Sequence, residues 1–218
     1  IIHFPVKGIL CYQGESNAQE PERVNEYALL SKLMVDDFRK EWNQPALPFF
    51  FVQISSIDTL QYNSHLWPMF RDEQRKILSL VSNSGMAVSS DFCSRNYVHP
   101  TNKKEVGERL AAWALHKTYH KHVVPSGPLP IQAKYRNKKI IITFQYSAGG
   151  LATAVNEPLR GFSLDGIQEA SARIQKNKII IPALPKPGFI YYGWQPFTRA
   201  NLVNAEKQPA STFKIHVL

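Results

Sequence analysis

The chain has 218 residues, 44% hydrophobic and 20% charged, with a formal net charge of +9. That composition is ordinary for a globular protein with a sizeable core, and it excludes disorder, collagen and coiled coil. The longest near-pure apolar run, Phe49-Phe50-Phe51-Val52, falls far short of the roughly 20 residues a membrane helix needs, so no membrane span is expected.

Charge is unevenly divided. Residues 1–125 hold 14 Lys/Arg against 13 Asp/Glu, whereas residues 126–218 hold 12 against 4. A basic half suits an anionic partner or is simply a solvated surface. No nucleic-acid module accompanies it, so no nucleic-acid partner is expected. Cys11 and Cys93 form no disulfide framework or Cys-x-x-Cys motif, and both are expected to be free thiols. The opening Ile1-Ile2-His3-Phe4-Pro5 lacks an initiator Met and a basic-then-apolar leader. It reads as the interior of a longer or processed chain.

In chain order, strand-like and helix-like segments alternate. Val6 to Tyr12 reads as a buried strand. Tyr27, Leu30, Met34 and Phe38 recur at helical spacing within 21–42, which Pro45 and Pro48 close. Phe49 to Ile54 is a second strand. Phe70, Gln74, Ile77 and Leu78 mark a helix near 68–81. A third strand is expected near 86–90. Val106, Leu110, Trp113 and Ala114 mark a helix over 103–119, with Asn102 before it. Continuous apolar strands alternating with amphipathic helices predict a parallel sheet covered on both faces. Pro125, Gly127, Pro128 and Pro130 predict a linker over 123–130. Beyond it, strands near 139–144, 167–174, 178–181 and 188–194, separated by turn signals, predict a small all-β domain over 131–218.

In an open parallel sheet, function collects at the carboxyl ends of the strands. The segments there are Gln13-Gly14-Glu15-Ser16-Asn17, Gln53-Ile54-Ser55-Ser56, and Ser89-Ser90-Asp91 followed by His99-Pro100-Thr101-Asn102-Lys103. His99 is the candidate general base, because imidazole titrates near neutral pH; a helix-capping or surface role is the alternative. Asp91 is the candidate carboxylate that orients it, or an ordinary turn former. Gln13 offers a carboxamide donor for a developing oxyanion, and Gly14 permits close approach of substrate. Glu15 and Ser16 suit helix capping, and Ser16 lacks the Gly-x-Ser-x-Gly elbow of a nucleophile. His116, His120 and His122 invite a metal reading, but no carboxylate completes the set and cations suit a helix C-terminus.

Gly8 to Ala18, reading Gly-Ile-Leu-Cys-Tyr-Gln-Gly-Glu-Ser-Asn-Ala, resembles a block of the sialate O-acetylesterases. So do Trp67-Pro68-Met69-Phe70-Arg71-Asp72-Glu73-Gln74 and the Val98-His99-Pro100-Thr101-Asn102-Lys103 segment running on to Leu110. Asn201 to Glu206 and Pro209-Ala210 are similar to that family's closing segment. The resemblance implies an SGNH (GDSL-like) hydrolase: a partial flavodoxin-like three-layer α/β/α domain over 1–122, followed by the β-rich domain.

It further implies removal of O-acetyl groups from sialic acids or related glycans, without metal or organic cofactor, in a periplasmic or secreted setting. His99 takes the place of the base, Gln13 that of an oxyanion-hole donor, and Glu15 supports the loop. Gly14, Asn17 and Arg71 are expected to bind substrate. Cys11 stands where the family commonly has Trp. Asn96 stands where the wider superfamily has Asp, so Asp91 substitutes as the orienting acid. The family's Gly-Gln-Ser-Asn nucleophile block has no counterpart here. The serine is therefore expected from a missing N-terminal segment, and this stretch alone should be inactive. Two other readings remain: acetyl removal from xylan or another polysaccharide, and a non-catalytic glycan-binding protein using Tyr191, Tyr192 and Trp194, an aromatic run that otherwise reads as the core of the β-rich domain.

Overall fold

A computed structural model of the chain describes residues 2–218 except 59–61, 63, 93–96, 148 and 156. The first half is built on three parallel strands: β1 (Ile9–Cys11), β2 (Phe49–Gln53) and β3 (Ser84–Val88), in the order β1-β2-β3. Helices α1 (Pro21–Glu41), α2 (Trp67–Leu80) and α3 (Lys103–Trp113) follow the three strands in turn.

The apolar run of β2 shows why the sheet is covered on both sides. All five of its residues are buried. Phe49 and Phe51 pack with Val24, Tyr27 and Val35 of α1 and with Phe70 and Ile77 of α2. Phe50 and Val52 pack on the opposite face with Val106, Leu110 and Trp113 of α3. Alternation along a strand sends successive side chains to opposite faces, so an unbroken apolar run requires two covering layers. The result is the three-layer α/β/α arrangement.

Gly85 lets the third layer approach. A Cβ on it would lie 2.3 Å from the Trp113 ring, whose Nε1 donates to the Met86 carbonyl at 2.9 Å. The expected 103–119 helix changes pitch after Trp113 and ends in a π turn over Ala114–Thr118.

The second half is all-β and has its own core, built around Ile140, Ile142, Phe162, Ile179, Ile181, Tyr192 and Phe213. One antiparallel sheet joins β4 (Leu129–Arg136), β5 (Lys139–Gln145), β9 (Lys178–Pro182) and β8 (Arg173–Gln175). A second joins β12 (Phe213–His216), β10 (Phe189–Tyr192) and β7 (Phe162–Ser163), and β6 (Leu151–Thr153) pairs with β11 (Leu202–Asn204).

Two details depart from the sequence reading. The last two residues of the expected 123–130 linker, Leu129 and Pro130, belong to β4, where Pro130 opposes Phe144 beside a bulge. An edge strand tolerates proline because its N–H is not needed by the ladder. The expected strand over 167–174 shrinks to Arg173–Gln175, because the Asp165 carboxylate accepts from the Ile167 and Gln168 amides and turns the chain there.

The two halves are joined by buried polar contacts. Gln53, at the end of β2, receives the Thr212 amide on Oε1 at 3.1 Å and donates from Nε2 to the Arg71 carbonyl at 2.7 Å. The Asp72 carboxylate accepts from the Lys214 amide at 3.2 Å.

Candidate active site

Because β1, β2 and β3 are parallel, the segments following them emerge at one end of the sheet. Tyr12 and Gln13 follow β1, Ser55 and Ser56 follow β2, and Ser89 to Asp91 follow β3. The segment leading into α3 returns to the same end. Lys103 Nζ sits 4.3 Å from the centroid of the Tyr12 ring, so the first residue of α3, four positions after His99, reaches the start of the Gln13 loop.

The Gln13 loop is tightly specified. Gly14 has φ +141°, and a Cβ there would lie 2.5 Å from the Phe70 ring. Its glycine is therefore needed for Phe70 to pack, and the buried position is not open to substrate. The Gly14 carbonyl accepts from the amides of Asn17 and Ala18 at 2.9 and 3.0 Å, closing a turn. Neither Glu15 nor Ser16 caps a helix with its side chain, and Ser16 is exposed.

Gln13 itself is exposed but not loose. Tyr27 of α1 donates to its Oε1 at 2.9 Å, and Gln13 Nε2 donates to Asn17 Oδ1 at 2.5 Å. An amide nitrogen carries two hydrogens, so one N–H of Gln13 stays available to a ligand. Gln74 ties the loop to β2: Nε2 donates to the Gln13 and Val52 carbonyls, and Oε1 receives the Ile54 amide at 2.8 Å.

Tyr27 and Gln74, which the sequence reading places on helix faces, both brace the Gln13 segment. A polar residue on an otherwise apolar helix face was the signal. Half-burial raises the Cys11 thiol above its ordinary pKa, and the nearby Glu15 carboxylate adds to the effect. Burial and the same carboxylate raise the Tyr12 phenol. Cys11 is a free thiol, while Cys93 and Asn96 lie outside the described residues.

His99 is exposed and makes no hydrogen bond with any described residue. Asp91 does not reach it. Its two carboxylate oxygens instead accept from Arg109 Nη1 and Nη2, each at 2.7 Å, and Arg109 Nη1 also donates to the Val88 carbonyl. This bidentate pair joins the end of β3 to α3.

Arg71 is placed differently from the expected substrate contact. It is fully buried, and its guanidinium donates to Ser56 Oγ and to the carbonyls of Gly193, Gln195 and Pro196 at 2.5–3.2 Å. It clamps a loop of the β-rich half onto the end of β2. Ser89 donates to the Gln53 carbonyl at 2.7 Å. The histidine series gathers no metal-ligand set among the described residues, and His116 Nδ1 lies 3.0 Å from the Val123 carbonyl.

A family model described as carbohydrate esterase, sialic acid-specific acetylesterase, matches residues 2–116. The chain belongs to that family. The match contains both the Gln13 and the His99 loops. The chain is also similar to the crystal structure of a carbohydrate acetylesterase from Xanthomonas citri. That likeness has a TM-score of 0.87 and 31% identity, over 98% of this chain and 51% of that one. It is 30% identical to the mouse sialate O-acetylesterase over 59% of this chain and 26% of that protein. The chain thus spans about half of the bacterial relative and about a quarter of the mouse one. No helix among its described residues is long and apolar enough to cross a membrane.

Proposed function

We propose that the protein removes O-acetyl groups from sialic acids or related acetylated sugars by serine-dependent acyl transfer. The observation that carries this reading is the convergence of the Gln13 loop and the segment after His99 on one end of the parallel sheet, through Lys103 and Tyr12. An oxyanion donor and a proton acceptor belong at one site in acyl transfer.

His99 takes the proton of the serine hydroxyl as that oxygen attacks the acetyl carbonyl. The free N–H of Gln13 donates to the oxygen that becomes negative. The C–O bond to the sugar breaks, and His99 returns the proton to the departing alcohol. Water, deprotonated by His99, then releases acetate and restores the serine. The geometry favours a Ser–His pair, with Asp91 holding the loop after β3 through Arg109. Glu15 adds negative charge beside Cys11 and Tyr12, Asn17 holds the Gln13 amide, and Arg71 positions the sheet end from behind.

The serine itself is proposed to come from a segment outside this chain. β1 supports that reading, because among the described residues it pairs with β2 alone and exposes Leu10 by 62%. An unpaired edge of this kind accepts a further strand. Stretches 1–122 and 131–218 would act as the catalytic and accessory domains, in the periplasm or outside the cell, where glycan substrates occur.

The test is acetate release by the full-length protein from O-acetylated sialic acid and from acetylated xylan. Release from the first, abolished by His99→Ala, is expected. Release from xylan alone would replace the substrate, and release from neither would end the esterase reading.

A further inference from the structure

The β-rich half holds a cleft of about 460 Å³ that the acyl-transfer reading does not use. It is lined by Trp194, Phe197, Arg160, Arg199, Glu169 and Gln195, among others. We propose that this cleft binds a carboxylate-bearing sugar unit, with Trp194 as its apolar platform and Arg199 as its anion contact; the sugar class rests on the carbohydrate-esterase reading above.

The volume lies in the range of small-molecule sites and accommodates a sugar residue. Trp194 is only half-buried, and Tyr191 packs against it with ring centroids 5.2 Å apart at 66°, fixing one side of the indole. An aromatic wall with a few polar groups suits a ring that has apolar C–H faces and a polar rim.

Charge chooses among sugars. Glu169 is occupied, because its Oε1 accepts from the Gly161 amide at 2.8 Å. Arg160 pairs at 3.4 Å with Glu157, a partly exposed and therefore weak contact. Arg199 is exposed and has no partner among the described residues. A cleft with two guanidinium groups and one engaged carboxylate attracts an anion, and a guanidinium matches a carboxylate in two-point geometry. The surrounding half carries 12 Lys/Arg against 4 Asp/Glu, which adds long-range attraction.

The cleft wall is also rigid. Arg71 holds the carbonyls of Gly193, Gln195 and Pro196. Ser56 Oγ receives the Thr198 amide at 3.4 Å, and the Ile57 amide donates to Pro196 at 3.1 Å. These bonds fasten the wall to the end of β2, the strand between those that lead to Gln13 and to Asp91. The cleft wall is thereby tied to the end of the sheet from which the Gln13 and Asp91 segments leave.

The experiment is calorimetric titration of the full-length protein with three probes: the methyl glycoside of N-acetylneuraminic acid, glucuronic acid and neutral methyl glucoside. The acidic sugars should bind, more weakly as salt rises, and methyl glucoside should bind at least tenfold more weakly. Arg199→Ala and Trp194→Ala should each weaken the acidic sugars at least tenfold, with circular dichroism confirming the fold. Equal binding of the neutral glucoside, or unchanged binding in both variants, would overturn the proposal. Hydrolysis of p-nitrophenyl acetate, a small neutral ester, should be unchanged in Arg199→Ala. Failure of the wild-type protein to cleave that ester counts against the esterase reading and leaves the sugar titration to decide the cleft.

Discussion

The Tyr27 hydroxyl donates to Gln13 Oε1 at 2.9 Å, across 14 residues of sequence, and so fixes which end of the Gln13 amide faces outward. With the oxygen engaged by Tyr27 and one N–H by Asn17, the outward group is a donor. Gln13→Ala should lower kcat by about a hundredfold or more, as loss of one oxyanion donor does. Tyr27→Phe keeps the amide but releases its orientation, and should lower kcat by roughly tenfold with KM little changed. Steady-state kinetics on an acetyl ester check both. An unchanged kcat in Gln13→Ala would remove Gln13 from the mechanism.

The Asp91–Arg109 pair separates two roles for the carboxylate. If Asp91 oriented His99 as the aspartate of a catalytic triad does, Asp91→Asn would cost about ten-thousandfold in kcat. Bound to Arg109, it should cost less than about tenfold in kcat and roughly 1 kcal/mol of stability, since the pair is partly exposed. Kinetics together with a urea melt of the same variant distinguish the two.

Arg71 should matter for folding more than for chemistry. Its guanidinium has no exposed surface and donates to a serine hydroxyl and three carbonyls. Removing it leaves those buried acceptors unpaired. Arg71→Met should therefore destabilise the protein by about 3 kcal/mol or more. Arg71→Lys should recover only part, because an ammonium lacks the planar fork that reaches several carbonyls. The shift in urea midpoint measures both.

Cys11 should be a slow thiol. Burial first, and then the Glu15 charge, raise its pKa, so less thiolate is present at any given pH. In a Cys93→Ser background, the alkylation rate with iodoacetamide should reach its half-maximum at a higher pH than for an unperturbed thiol. Glu15→Gln should move that midpoint down. A midpoint at or below the ordinary thiol value would contradict the burial of Cys11.

Much of the first half was legible in the sequence. Helical spacing and the unbroken apolar run at Phe49–Val52 report which residues must be buried, and burial on two faces forces a layered parallel sheet. The parallel order in turn brings the Gln13 and His99 segments to one end. The β-rich half was less legible: β6, β11 and β12 are three or four residues long, too short to show a period, and Pro130 concealed the start of β4.

The roles of the charged residues were decided by the tertiary structure alone. Spacing identifies Asp91 and Arg71 as polar groups near a strand end and on a helix, but not what each meets. Asp91 meets Arg109, 18 residues away, and Arg71 meets carbonyls more than 120 residues away. A charge at a sheet end is equally compatible with catalysis and with bracing. Only the partners that the fold places beside each determine which it does: Arg109 of α3 for the exposed Asp91, and the loop of the β-rich half for the buried Arg71, whose charge must be satisfied where it lies.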